Sequence, residues 1–155
     1  MKILVFSDTH QKINGCVEIL QQTKDVGAVL HAGDLVQDAE DLAAAFPAIP
    51  FYFVSGNNDL FSSCPEERTL TFEGVTLLLT HGHLQNVRFG LRELANHAKR
   101  QGAALAVFGH THEAFLGTVS GVQMLNPGSM GYAPKSYGVL TIENGQIQTN
   151  LVSVR

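Results

Sequence analysis

Only two cysteines, Cys16 and Cys64, occur in the 155 residues, and tryptophan is absent. Two cysteines with no pairing pattern argue against a disulfide scaffold and fit a reduced, cytoplasmic protein. Basic residues are also few: ten Lys and Arg, scattered, against fourteen Asp and Glu, for a net charge of −4. No basic run or stripe offers a footprint for a phosphate backbone, so a dedicated nucleic-acid surface is not expected. No apolar run is long enough to span a membrane. The N-terminal stretch is apolar for only four residues, Ile3 to Phe6, which is too short for a signal-peptide core. Repeats, low-complexity segments and linkers are missing too. This length suits one domain, residues 1–155, and 45% hydrophobic residues supply a full core. An oligomer is compatible with this composition but is not readable from it.

What the chain does have is a set of short apolar runs with polar ends. Ile3 to Phe6 is β-branched and aromatic without polar alternation, the pattern of a strand buried on both faces. It stops at Ser7-Asp8-Thr9-His10, where a dinucleotide fold would carry a glycine-rich turn. Ile13, Val17 and Leu20 recur at helical spacing up to about Lys24, with Asn14 as the expected cap. Ala28 to His31 reads as a second buried strand, ending in Ala32-Gly33-Asp34. A helix is expected over Asp38 to Ala45, with Asp38 as its N-cap and Asp41 as an acidic first-turn residue. Phe51 to Val54 is the third strand and ends in Ser55-Gly56-Asn57-Asn58-Asp59.

The pattern then changes. Arg68 to Phe72 and Val75 to Thr80 flank a tight Glu73-Gly74 turn, and the second strand ends in His81-Gly82-His83. Phe89 to Gln101 is amphipathic at the helical period, with Phe89, Leu94, Ala95 and Ala98 on one face. Ala103 to Phe108 is another apolar strand, followed by Gly109-His110-Thr111-His112. A hairpin through Ser120-Gly121 and a turn at Asn126-Pro127-Gly128 follow. The last hairpin turns at Asn144-Gly145, a type I′ signal. Strand–helix alternation followed by antiparallel hairpins predicts an α/β protein, with two mixed β-sheets packed together and helices outside.

Five strand ends share one character: Asp8/His10, Asp34, Asn57, His81 and His110/His112. Ligand sites in α/β sheets lie beyond the carboxyl ends of strands, so these residues are expected to converge. Singly, Asp8 and Asp34 have a simpler role as helix caps, and Asn57 as a turn residue. The repetition of one arrangement at five strand ends is what those roles leave unexplained. His31 reads as a core or supporting residue. His97 sits in the middle of a surface helix and reads as solvated, outside any site.

Asp-x-His, Gly-Asp, Gly-Asn-x-Asp, His-Gly-His and Gly-His-x-His, in that order, resemble the calcineurin-like metallophosphoesterases, and most of all their small single-domain bacterial and archaeal phosphodiesterases. The phosphoesterase-like subunit of the retromer shares that fold. The motifs cover residues 8 to 112. The resemblance implies a two-sheet αββα sandwich. It implies one metal held by Asp8, His10 and His112, a second held by Asn57, His81 and His110, and Asp34 bridging both. It also implies hydrolysis of a small phosphodiester by metal-activated hydroxide.

Oxygen and imidazole donors without thiolate suit Mn²⁺, Fe²⁺, Zn²⁺ or Co²⁺ and disfavour Cu(I). The expected cofactor is therefore two divalent ions, manganese first, with iron, zinc, cobalt or nickel as alternatives. Two dications with Asp8 and Asp34 leave a formal charge of about +2, which a hydroxide and a diester monoanion neutralise; metals in such sites bring water toward a pKa of about 7. One position departs from the pattern. Many relatives place histidine after the motif asparagine, where it is taken to protonate the leaving group; here that residue is Asn58. An amide supplies no proton, so His83 becomes the substitute candidate, with a purely local hydrogen-bonding role as its alternative. The loop Asn126-Pro127-Gly128-Ser129 is expected to border the pocket. Two other readings compete. One is a catalytically weak metal-binding scaffold or protein-interaction module of the same fold, against which the complete ligand set argues. The other is a nuclease, for which the chain has no DNA-binding segment.

Overall fold

The computed structural model describes residues 1–155 as two five-stranded sheets and three helices. The first sheet is ordered β10-β9-β1-β2-β3, built from β1 (Lys2–Phe6), β2 (Val26–His31), β3 (Phe51–Phe53), β9 (Lys135–Glu143) and β10 (Gln146–Val154). The second is ordered β4-β5-β6-β8-β7, built from β4 (Glu67–Phe72), β5 (Val75–Thr80), β6 (Leu105–Val107), β7 (Phe115–Val119) and β8 (Val122–Asn126). Helices α1 (Asn14–Gln22) and α2 (Val36–Ala45) cover the first sheet, and α3 (Arg92–Arg100) covers the second.

Strand alternation explains why the apolar runs are continuous. Ile3, Val5, Ala28 and Leu30 face Leu77, Leu79, Leu105, Val107 and Leu125 across the space between the sheets. Their neighbours Leu4, Phe6 and Val29 point the other way, against Cys16 and Leu20 of α1 and Leu42 of α2. On the far side Leu78, Ala106 and Met124 pack under Leu94, Ala95 and Ala98 of α3. Each fully buried aliphatic side chain stabilises by roughly 1.5–3 kcal/mol, which keeps Ile3 to Phe6 of β1 and Leu77 to Leu79 of β5 apolar on both faces.

The helix boundaries depart from the sequence expectation. Helix α1 starts at Asn14 itself, after Ile13, and no side chain caps it; it ends at Gln22, not near Lys24. Helix α2 starts two residues before Asp38, which is buried and accepts hydrogen bonds from the Thr9 hydroxyl and the Gln11 N–H instead of capping. Asp41 lies beyond the first turn. Helix α3 starts only at Arg92. Phe89 lies before it in a 3₁₀ turn and is exposed, not on the buried face. The Asn144-Gly145 turn does take two left-handed residues, as a type I′ hairpin requires.

The topology places the strand ends. β1, β2 and β3 run parallel, so Asp8, Asp34 and Asn57 all follow carboxyl ends on one rim. β5, β6 and β8 are parallel in the second sheet, which brings His81, His110 and Asn126 to one rim there. The C-terminal part is less purely antiparallel than its hairpins imply. β8 pairs β6 in parallel, and β9 crosses to the first sheet and pairs antiparallel with β1.

Candidate metal centre

The loops after the strands are conformationally unusual. Asp8, His10, Asp34, His110 and His112 all have left-handed φ, between 44° and 73°. Such residues are uncommon outside glycine and cluster at functional sites because each costs free energy that neighbouring structure must offset. The neighbouring structure is visible. Asp8 N–H bonds the Gly33 carbonyl at 3.0 Å, and His10 N–H bonds the Asp34 carbonyl at 3.3 Å. Gly109 is needed for close approach: a Cβ there would lie 2.6 Å from an Asp8 carboxylate oxygen.

The first group of donors is Asp8, His10 and His112. Asp8 is fully buried. Its Oδ2 accepts from the Ser7 hydroxyl at 2.6 Å and from His110 N–H at 3.1 Å. Its Oδ1 has no hydrogen-bond partner. That bare oxygen lies 3.2 Å from His112 Nε2 and 3.7 Å from His10 Nε2, and the two histidine nitrogens are 3.3 Å apart. A buried acceptor without a donor costs about 1–3 kcal/mol, so a carboxylate oxygen with no hydrogen-bond partner, aimed at two imidazoles, is suited to hold a cation.

The second group is Asn57, His81 and His110. Asn57 Oδ1 is 2.9 Å from His81 Nε2 and 3.0 Å from His110 Nδ1, and those nitrogens are 3.2 Å apart. His81 Nδ1–H donates to the Ala32 carbonyl at 2.7 Å, which turns Nε2 toward the centre. Burial opposes charge on His81, but the hydrogen bond to Asp34 and the charges of Asp8 and Asp34 outweigh it and raise its pKa.

Asp34 sits beside both groups, with Oδ2 at 3.4 Å from His81 Nε2. Burial pushes its pKa up, but hydrogen bonding and charge from His81, with two hydrogen bonds from Asn58, hold it well below the carboxylate range. Those bonds come from Asn58 N–H to Oδ1 at 3.1 Å and from Asn58 Nδ2 to Oδ2 at 2.8 Å. Asn58 therefore orients the carboxylate. Asp59 ties the two loops together by accepting from the N–H groups of Asp34, Val36 and Gly56. His31 lies beneath, fully buried. Gly33 N–H donates to its Nδ1, its Nε2–H donates to the Thr9 hydroxyl, and that hydroxyl donates to Asp38. Burial holds its pKa down at about 4, so the ring is neutral.

All seven expected ligand side chains therefore reach one region, and their spacing fits metal ions. Two donors each about 2.1 Å from one ion lie about 3.0 Å apart at a right angle and about 3.4 Å apart at the tetrahedral angle. The Asn57–His81–His110 triangle has edges of 2.9, 3.0 and 3.2 Å. Asp8 with His10 and His112, and Asp8 with Asp34 and His81, each offer three ligand atoms within 4.8 Å of one another.

His83 packs against His81 and His110, with ring centroids 5.4 and 6.1 Å away, and its buried Nδ1 has no partner. Burial, then the charge on His81, lowers its pKa. The Asn126–Ser129 loop does not border the pocket as expected. Asn126 and Ser129 are buried and brace the site from behind, Asn126 Nδ2 on the Gly109 carbonyl and Ser129 Oγ on the Asp8 carbonyl. His97 is remote from the centre as expected, but it is not simply solvated: its Nε2 lies 2.7 Å from Glu67. Two neighbours were not legible in the sequence. Tyr132 stacks on His112 at 5.5 Å, and Arg88 Nε donates to His110 Nε2 at 3.1 Å. Arg88 lies in a 3₁₀ turn and Tyr132 in an irregular loop, neither with a motif.

A two-sheet sandwich with oxygen and imidazole donors gathered at its strand ends is an architecture fit to hold divalent metal ions. Residues 1–145 match the calcineurin-like phosphoesterase superfamily domain. A probable metallophosphoesterase of Bacillus subtilis is 33% identical, over 93% of this chain and 86% of its own. A phosphodiesterase of Methanocaldococcus jannaschii is 30% identical, over 83% of each. Among solved structures, a predicted phosphoesterase of Streptococcus pneumoniae superposes with a TM-score of 0.81 at 26% identity, over 98% of this chain and 88% of its own. Vps29 of Entamoeba histolytica, solved with zinc, superposes at 0.78 over 99% of each chain; at 22% identity it shares the fold. This chain belongs to the calcineurin-like phosphoesterase superfamily.

Proposed function

We propose that this protein hydrolyses small phosphodiesters with two divalent cations, manganese first, held by Asp8, His10 and His112 and by Asn57, His81 and His110, with Asp34 between them. The observation that carries the reading is the pair of donor triangles, one of them holding a buried carboxylate oxygen with no other partner. When bound, two such cations lower the pKa of water and stabilise charge on the phosphoryl oxygens.

The chain's own residues do the rest. Ser7 and the His110 N–H hold one oxygen of Asp8, leaving the other free for the cation. Asn58 holds both oxygens of Asp34 and, being an amide, has no proton to give a departing alkoxide. A cleft of about 400 Å³ opens beside Asn58, lined by Leu35, Val36, Leu60 and Phe61 together with polar side chains, and takes the organic part of the substrate. Leu60 and Phe61 are exposed there. Substrate selection by this cleft suits a small diester better than a polynucleotide, which the scattered basic residues do not favour. The two free thiols suit a cytoplasmic setting.

The test is a metal-by-substrate panel on stripped protein, with bis-p-nitrophenyl phosphate and p-nitrophenyl phosphate side by side. The expected result is metal-dependent turnover, greater for the diester and greatest with Mn²⁺, and two ions per chain by elemental analysis. Asp34→Asn should lose more metal and rate than substitution of any terminal ligand. Two tightly held ions in Asp34→Asn would overturn its bridging place, and preference for the monoester would overturn the diester assignment.

A further inference from the structure

Asp38 is a buried carboxylate on α2, and none of the protein's ion pairs includes it. A charge withdrawn from water needs donors to hold it. Both of its donors come from one loop. Its Oδ2 accepts from the Thr9 hydroxyl at 2.6 Å and from Gln11 N–H at 2.8 Å. Thr9 and Gln11 are the two residues that flank His10. The loop they belong to is unfavourable by itself, since Asp8, His10 and Gln11 have φ of 52°, 44° and 71°. Left-handed residues other than glycine cost free energy, and several together persist only where the surroundings over-determine them.

The hydrogen bonds that end on Asp38 run in one direction. Gly33 N–H donates to His31 Nδ1 at 3.2 Å, His31 Nε2–H donates to the Thr9 hydroxyl at 3.0 Å, and that hydroxyl donates to Asp38. A carboxylate only accepts, so it draws the Thr9 proton to its own side and leaves an oxygen lone pair for His31. The chain thus ties the end of β2, beside Asp34, to the loop after β1. The other members of the first donor group are held from elsewhere. The Asp8 carboxylate is held by Ser7 and His110 N–H, and the Asp8 carbonyl accepts from Ser129 Oγ–H at 2.7 Å and Gly131 N–H at 3.0 Å. His112 stacks on Tyr132. The His10 backbone makes one hydrogen bond, from its N–H to the Asp34 carbonyl at 3.3 Å, so its direction is set by the residues on either side.

We propose that Asp38 is a positioning residue for the first donor group: by holding Thr9 and Gln11 it aims His10, and the affinity of Asp8, His10 and His112 for their cation depends on it while that of Asn57, His81 and His110 does not. This rests on the dinuclear reading above. The selectivity follows from placement. His81 is oriented by the Ala32 carbonyl and Asp34 by Asn58, and none of those bonds passes through Asp38. Residues that orient metal ligands typically change metal affinity by about 10- to 100-fold when removed. Asp38 exerts that effect one residue away, through the backbone on both sides of His10.

The experiment titrates Mn²⁺ into stripped protein by calorimetry, for the native chain, Asp38→Ala, Asp38→Asn, His10→Ala and the double variant His10→Ala/Asp38→Ala. Asp38→Ala should bind one ion as the native chain does and the other about 10- to 100-fold more weakly. Asp38→Asn keeps an oxygen that accepts from Thr9 and Gln11, and should hold both ions within about threefold of native. The double variant shows which ion is affected. If Asp38 acts through His10, removing it from His10→Ala should cost no further affinity, whereas a general loosening of the fold would add its loss to that of His10. Asp41→Ala, an exposed change on the same helix, is the control and should bind both ions as native. Thr9→Val removes one of the two donors, and makes the same test on the same ion if Asp38→Ala does not fold. Equal weakening of both ions, or additive losses in the double variant, would overturn the proposal and leave the dinuclear reading standing. Asp38→Asn as weak as Asp38→Ala would assign the effect to charge and overturn positioning. A native chain that takes up no metal overturns both readings together.

Discussion

Gly56→Ala tests the centre through space alone. Gly56 is not among the residues with left-handed φ, so alanine meets no backbone strain there. What it meets is Asp34: a Cβ would lie 2.1 Å from Oδ1, 2.8 Å from Cγ and 3.0 Å from His81 Cδ2. Carbon–oxygen contact is ordinary from about 3.4 Å, so the carboxylate must retreat by more than about 1 Å. It is not free to do so in place, because Asn58 holds both its oxygens. Residue 56 is not free to move away either, since its N–H is bonded to Asp59 at 2.8 Å. The expected outcome is a rotated Asp34 that no longer serves both cation positions. Misplacement by about 1 Å typically costs about 10²-fold in rate, or about 2.7 kcal/mol of barrier. Overpacking should also lower stability by about 1–3 kcal/mol. The assay pairs elemental analysis with metal-dependent hydrolysis of bis-p-nitrophenyl phosphate. Gly27→Ala is the control: its Cβ would press on the movable Met1 side chain, far from the strand ends, and rate should be unaffected. Retention of two ions in Gly56→Ala, with a rate within about threefold of native, would refute the placement of Asp34.

Three further outcomes are expected. Without a general acid at position 58, rates should fall steeply as leaving-group pKa rises; Asn58→His should flatten that slope by restoring an effect typically worth about 10²–10⁴-fold, whereas parallel shallow slopes would point to His83 as an acid already present. His97→Ala should leave the metal-dependent rate within about twofold and cost at most about 1 kcal/mol of stability by removing the half-exposed pair with Glu67; a hundredfold loss in folded protein would redraw the site. His31, neutral in the folded protein with a pKa held by burial at about 4, takes up a proton on unfolding below its ordinary 6.5. Its contribution is complete above pH 6.5 and is lost as pH falls toward 4, a difference of about 3 kcal/mol. Denaturant titrations of metal-free protein across that window should therefore show a shallower pH dependence in His31→Gln, and identical slopes would mean that His31 is not held neutral.

The donor residues of the candidate centre were legible because each lies just beyond a run whose apolar continuity marks a strand. The run from Ile3 to Phe6 is apolar because both faces of β1 are covered, and that burial is written residue by residue. Helix ends were less legible. None of the three helices has a side-chain N-cap bond, so Asn14 and Asp38 misled as cap signals. Asp38 is where it is because Thr9 and Gln11 need an acceptor, which is a contact between distant residues. Phe89 has the right spacing for α3 but precedes Gly90, whose φ of 133° keeps the turn outside the helix. Local pattern by itself located the apolar strands and the donors at their ends. Only the tertiary structure decided that β8 runs parallel to β6, that β9 crosses to β1, and that Arg88 and Tyr132 come to stand against the ligand histidines. Strand alternation and burial are properties of neighbours along the chain. Pairing partners and loop contacts depend on how two sheets close over one core, and no window of sequence contains that.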